Sequence, residues 1–143
     1  MSDELYTRVL VASGPLVAIF RSQDSDHERC VEALARIVPP LLTSWPVITE
    51  AAYLLRNSSP AVDKLLSGPR VGLYRILPLD EGDLPALEGL LRKYRKLGAQ
   101  LADISLVYLA AREGFTTVLT LDRRDVSVFR GPKNQAFRLL PPN

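Results

Sequence analysis

Five short apolar stretches, the first four parted from one another by segments with helical signals, constrain this chain more than any other feature. They are "RVLV" (8–11), "LLT" (41–43), "RILPL" (75–79), "TTVLTL" (116–121) and "AFRLL" (136–140). "TTVLTL" is β-branched and reads as a buried strand, and "AFRLL" reads as an edge strand. Strands separated by helices predict a parallel sheet covered on both faces, an α/β fold. At 143 residues, 47% of them hydrophobic, the chain is expected to form one domain over 1–143 with a real core.

The helices between the strands carry their own start and stop signals. The first is expected from Gly14 to about Arg21. The second runs from about His27 to Val38, with Cys30, Val31, Leu34 and Ile37 at helical spacing and Pro39-Pro40 as its end. Ser44 caps a third helix that begins at Trp45-Pro46 and reaches about Arg56; a small fourth spans Pro60 to Leu66. Asp83 before Leu84-Pro85 caps a helix ending near Lys96, and a last helix from about Leu101 stops at the C′ glycine Gly114.

Composition excludes several chemistries. Cys30 is the only cysteine and His27 the only histidine, which rules out an intramolecular disulfide, a cysteine zinc site and His-rich metal sites, and argues against a Ser-His triad. Cys30 reads as an inert core thiol, Trp45 as a packing residue at a helix start and His27 as a polar residue opening its helix. Neither a signal peptide nor a membrane span is apparent in the sequence, so a cytoplasmic protein is expected. The net charge of +2 hides two basic stretches, "LLRKYRK" (90–96) and "LDRRDVSVFRGPK" (121–133), which suit a phosphate backbone or a solvated helix face.

The acids carry the chemical signal. Glu50 lies among apolar neighbours in "SWPVITEAAYLL", on the side of Val47 and Leu54, where a buried carboxylate needs a partner. Asp103 shares a helix face with Val107 and Ala110, or serves as an N-cap or first-turn dipole partner. Asp122 follows the strand "TTVLTL" directly, where it faces the crevice or begins a turn, and the same alternatives hold for Asp125. Brought together, these acids would form an oxygen-only site for Mg²⁺ or Mn²⁺, suited to two-metal phosphodiester hydrolysis. The end of the first strand is where such enzymes place a polar catalytic group, yet the residue there is Ala12.

The ordered blocks "VLVASGPLVAIF", "HERCVEAL", "PLLTSWPVITEAAYLL", "LADISLVYLAA" and "VLTLDRRDVSVFR" resemble the PIN-domain toxins of the VapC type over almost the whole chain. The resemblance implies a three-layer α/β/α fold and a Mg²⁺- or Mn²⁺-dependent endoribonuclease, neutralised by a cognate antitoxin and in many members homodimeric. It implies Glu50, Asp103 and Asp122 as metal-binding acids, Asp125 as an auxiliary acid at the rim, and Ser13 as a hydroxyl bonding the first acid or a water at the metal. Arg92, Lys93, Arg95, Lys96, Arg123, Arg124 and Arg130 would position the RNA backbone without naming the base. Against the family pattern "VDxGPLVAL", Ala12 replaces the first aspartate, and Gln100 stands where relatives often carry another acid. Ala12 then marks an engineered knockout, a naturally degenerate member, or a weak nuclease with one metal. Intact remaining acids slightly favour the first, and the second loss at Gln100 favours drift. The competing expectation is a non-catalytic antitoxin-binding or RNA-binding module, whose groove of apolar helices receives an amphipathic helix.

Overall fold

A computed structural model describes residues 4–142; residues 1–3, the start of the acidic N-terminal stretch, and residue 143 lie outside it. The strands are β1 (Val9–Val11), β2 (Leu41–Thr43), β3 (Tyr74–Ile76), β4 (Thr117–Leu119) and β5 (Arg138–Leu140). The helices are α1 (Ser13–Phe20), α2 (His27–Leu34), α3 (Trp45–Leu54), α4 (Ser59–Leu66), α5 (Leu84–Lys93), α6 (Leu101–Glu113) and α7 (Arg123–Val126). All strand pairs are parallel and the order is β3-β2-β1-β4-β5, so β5 is an edge, as its sequence implied.

Three consecutive residues of β1, Val9, Leu10 and Val11, are fully buried, and successive side chains point to opposite faces. Both faces of the sheet are therefore covered at its centre, which is why β1 lacks polar alternation, whereas Arg75 on the edge strand β3 is exposed. The chain builds outward from β1 through β2 to β3, then returns to place β4 on the other side of β1. That reversal opens a crevice above the carboxyl ends of β1 and β4, the place where open parallel sheets bind ligands. Val11 pairs with Leu119, and the Ala12 N–H donates to the Leu119 carbonyl at 3.0 Å, so both strands end at the same height. Helix α3 packs on α6 as well as α1, and a buried hydrogen bond of 2.7 Å between the Ser44 and Ser105 hydroxyls ties the N-cap of α3 to the N-terminal half of α6.

Several boundaries differ from the sequence expectation for identifiable reasons. Helix α2 stops at Leu34 because the following residues pair with the N-terminal segment: Tyr6 and Ile37 form a parallel bridge, with bonds of 2.8 Å on either side. Ser44 and Gly114 act as expected, the former accepting from Val47 N–H at 3.3 Å and the latter ending α6 at φ +80°. Asp83 occupies the N-cap position of α5 as expected, but its side chain makes no capping bond there. A 3₁₀ turn, Glu81–Asp83, precedes the helix and is capped by Asp80, with Asp83 bonded back to the Asp80 N–H in a reciprocal box. Among the described residues, no helix is long and apolar enough to cross a membrane.

Candidate active site

A cleft of about 550 Å³ occupies the crevice above β1 and β4, and Glu50, Asp103, Asp122 and Asp125 all line it, beside Ala12, Ser13 and Gln100. Each acid arrives by a different route. Glu50 sits in the second turn of α3, half-buried, with Val47 inside the core at 1% exposure but Leu54 at 42%. The apolar face inferred for Glu50 is thus a boundary, and its partner is Ser13, whose hydroxyl donates to Glu50 Oε1. Asp103 lies in the first turn of α6; it is not the N-cap, which is Gln100. Asp122 does both things anticipated for it, lining the cleft and accepting from the Asp125 N–H at 3.3 Å as N-cap of α7, a helix too short for sequence periodicity to reveal. The Asp122 N–H in turn donates to Thr120 Oγ1 at 3.0 Å.

The acids act on one another electrically. The Asp103 carboxyl is pushed up to about 6, first by burial and then by the charges of Glu50, Asp122 and Asp125. Its burial has a visible source. A small apolar cavity of about 10 Å³ lies against Asp103 and Ala12, walled by Val107, Val118, Phe129 and Phe137, and it is barely the size needed for one water. No cation answers this charge: among the described residues no Lys or Arg lines the cleft. Among the same residues, no three His, Cys, Asp or Glu side chains are gathered closely enough to grip a metal ion as they stand. The donor chemistry suits a hard ion, but with a methyl group at position 12 the cage is not closed.

The basic residues divide into two groups. Arg92 pairs with Glu88 at 3.7 Å, Lys93 lies 5.3 Å from the Tyr94 ring, and Arg123 donates to the Pro141 carbonyl. Arg130 folds back onto the carbonyls of Ser127, Val128 and Phe129, so these four have work within the fold. Arg95, Lys96 and Arg124 are exposed and have no such partner among the described residues.

Other side chains also depart from or extend the sequence reading. Trp45 is 58% exposed and is no packing residue: as the first residue of α3 it projects outward while Val47 and Ile48 turn inward. His27 Nδ1 lies 2.7 Å from the Ala18 carbonyl, tying α2 to α1, and burial raises the Cys30 thiol to about 11, which keeps it inert. Thr120 and Phe129 line the cleft without having been singled out. Thr120 was detectable as a hydroxyl at the strand end just before Asp122, whereas nothing local marks Phe129.

The PIN domain model matches residues 9–130. The chain belongs to the PIN-domain family. Within that family it is 26% identical over 138 residues to Ribonuclease VapC26 of Mycobacterium tuberculosis, covering 93% of this chain and 100% of that protein. Its PIN fold superposes with a TM-score of 0.74 on Mycobacterium tuberculosis VapC20, described as a sarcin-ricin loop cleaving toxin, at 16% identity over 82% of this chain and 92% of that one. PAE2754 from Pyrobaculum aerophilum matches with a TM-score of 0.56 at 18% identity, over 90% of each chain. The resemblance to VapC-type proteins read from the ordered motifs holds.

Proposed function

We propose that this PIN-domain protein is a metal-dependent endoribonuclease toxin of a toxin–antitoxin pair, impaired as it stands by Ala12. The observation that carries the reading is the pooling of four carboxylates with no compensating cation at the switch point of the sheet. Such an arrangement destabilises the empty protein and gains its return only when something positive occupies the cleft. The kinship with a ribonuclease and the fold of an RNA-cleaving toxin support RNA as substrate. Glu50, Asp103 and Asp122, with Asp125 at the rim, would hold Mg²⁺ or Mn²⁺, and the ion would supply Lewis-acid stabilisation of charge on the phosphodiester. Ser13 holds the Glu50 carboxylate in one orientation, and Thr120 fixes the backbone that presents Asp122. The protein would act in the cytoplasm, be neutralised by its antitoxin and pair as a homodimer.

The deciding experiment is RNA cleavage in Mg²⁺ or Mn²⁺ by the Ala12→Asp protein beside the chain as given. Metal-dependent cutting by Ala12→Asp alone supports the reading, and no cutting of any structured or single-stranded RNA by either protein defeats it. A second reading is a degenerate, non-catalytic module. An apolar groove of about 430 Å³ between α5 and α6, walled by Leu84, Pro85, Leu87, Leu91 and Leu101, favours it as a seat for an antitoxin helix. That reading gains if the protein captures its antitoxin tightly while Ala12→Asp remains inert on RNA.

A further inference from the structure

A cleft lined by four carboxylates repels the phosphates of the substrate assigned to it, so the attraction must come from its rim. Surface charges act over about 8 Å at physiological salt, which confines the search to elements directly adjoining the cleft. Two such elements carry cations with no internal partner. Arg95 and Lys96 stand on the 3₁₀ turn Arg95–Leu97, which leads through Gly98 at φ +69° into the cleft-lining residues Gly98, Ala99 and Gln100. Arg124 stands on α7 between Asp122 and Asp125, both of which line the cleft.

These elements lie far apart in sequence and are joined in space by one side chain. The Tyr94 ring packs edge-on against Phe129, with centroids 4.9 Å apart and planes at 76°, and its hydroxyl accepts the Arg130 N–H at 3.2 Å. Phe129 itself lines the cleft. Tyr94 thereby docks the basic turn beside α7 and makes one cationic rim from two stretches. Among the described residues the other cations without a partner include Arg70, in the turn after α4, and Arg75, on β3 at the sheet edge away from β1 and β4.

We infer that Arg95, Lys96 and Arg124 form the phosphate-tracking rim that holds the RNA backbone over the acidic cleft, an inference that rests on the ribonuclease reading. Arg92, Lys93, Arg123 and Arg130, similar in sequence, serve the fold instead. The contacts are to phosphates, so they set affinity and salt dependence but carry no base preference.

The test is binding of a short unstructured fluorescent RNA to the full chain across a salt series, followed by anisotropy. Removing three phosphate contacts with R95Q/K96Q/R124Q makes the slope of log affinity against log salt shallower by about 2, at roughly 0.7 per contact with a single strand. The loss is the same for RNAs of different sequence. The distant control R70Q/R75Q, which removes two charges away from the cleft, keeps the original slope, and R95K/R124K, which preserves charge, keeps it too. An unchanged slope in the triple variant, or an equal loss in the control, overturns the inference. If Ala12→Asp cuts RNA and the triple change in that background alters neither binding nor cutting, this inference fails alone. If neither protein binds or cuts RNA, the ribonuclease reading fails and takes this one with it.

Discussion

Helix α6 meets an aspartate at each end, and the two are treated in opposite ways. Against its C-terminal half lies Asp83, which accepts from the Tyr108 hydroxyl and from the Asp80 N–H at 2.8 Å, and pairs with Arg112 at 3.6 Å. These partners, Tyr108 first, hold its carboxyl below the ordinary range and raise the Tyr108 hydroxyl in return. In its first turn lies Asp103, half-buried, pushed up to about 6, with only like charges as company. Between them Ser105 shows how a fully buried polar group is normally settled: its hydroxyl meets Ser44 at 2.7 Å and donates to the Ala102 carbonyl at 2.6 Å. The same helix thus carries polar groups that the fold satisfies and one acid to which, among the described residues, it gives no hydrogen bond and no cation.

The largest expected effect comes from making the starved end more so. Ala12→Asp adds a carboxylate against Asp103, so without metal it lowers Tm and drives Asp103 further up. Added Mn²⁺ reverses the loss, and cleavage rises by on the order of a hundredfold or more over the Ala12 chain, since even outer partners of metal ligands are worth 10–100-fold. Melting curves with and without Mn²⁺ check the first part. A variant equally stable in both conditions would show that the acids do not act as one site.

The next effect belongs to the satisfied part of the helix. Ser105→Ala strips Ser44 of its buried hydroxyl partner and loosens the joint between α3 and α6, destabilising the fold by about 1–3 kcal/mol. Denaturant titration measures it. The Ser44 bond to the Val47 N–H survives, so α3 should still form. A neutral outcome would mean that the contact between these helices rests on apolar packing alone.

Asp103→Asn then separates burial from function. A carboxyl whose folded value lies above its unfolded value of about 3.9 favours the fold most when protonated. Stability of the metal-free protein should therefore fall as pH rises from about 4 to about 6 and stay low above it. Asn at 103 removes that fall and raises Tm at neutral pH, while abolishing any Mn²⁺ response. A steeper decline in the variant than in the parent would contradict the assignment of burial and repulsion as its cause.

How much of this was legible beforehand differs between the same two regions. The sheet and the acids could be read because β1 is an uninterrupted apolar run, β4 is a buried β-branched one, and Asp122 comes three residues after β4 ends. Gly114 and Ser44 marked their helix ends because their roles are local. What escaped depends on distant partners: the division of basic residues into bonded and free, the docking of Tyr94 on Phe129, and the outward turn of Trp45. Asp83 was read as a helix cap because Leu84-Pro85 follows it. Beside the local Asp80 N–H, its partners Tyr108 and Arg112 lie 25 or more residues away and leave no local trace.

The smallest effect tests that partnered end. The lowered carboxyl of Asp83 gives stability that is complete above its unfolded value near 3.9 and lost as pH falls through its lower folded value. Its acid limb therefore runs opposite in sign to that of Asp103, and it becomes visible only below about pH 4. Asp83→Asn keeps an acceptor for the Tyr108 hydroxyl but gives up the ion pair with Arg112, which is partly exposed and weakly stabilising. The variant should lose a little Tm at neutral pH and unfold less steeply in acid, with its Mn²⁺ response unchanged. If that response weakens, the two ends of α6 are coupled through the helix, and the starved site depends on the satisfied one.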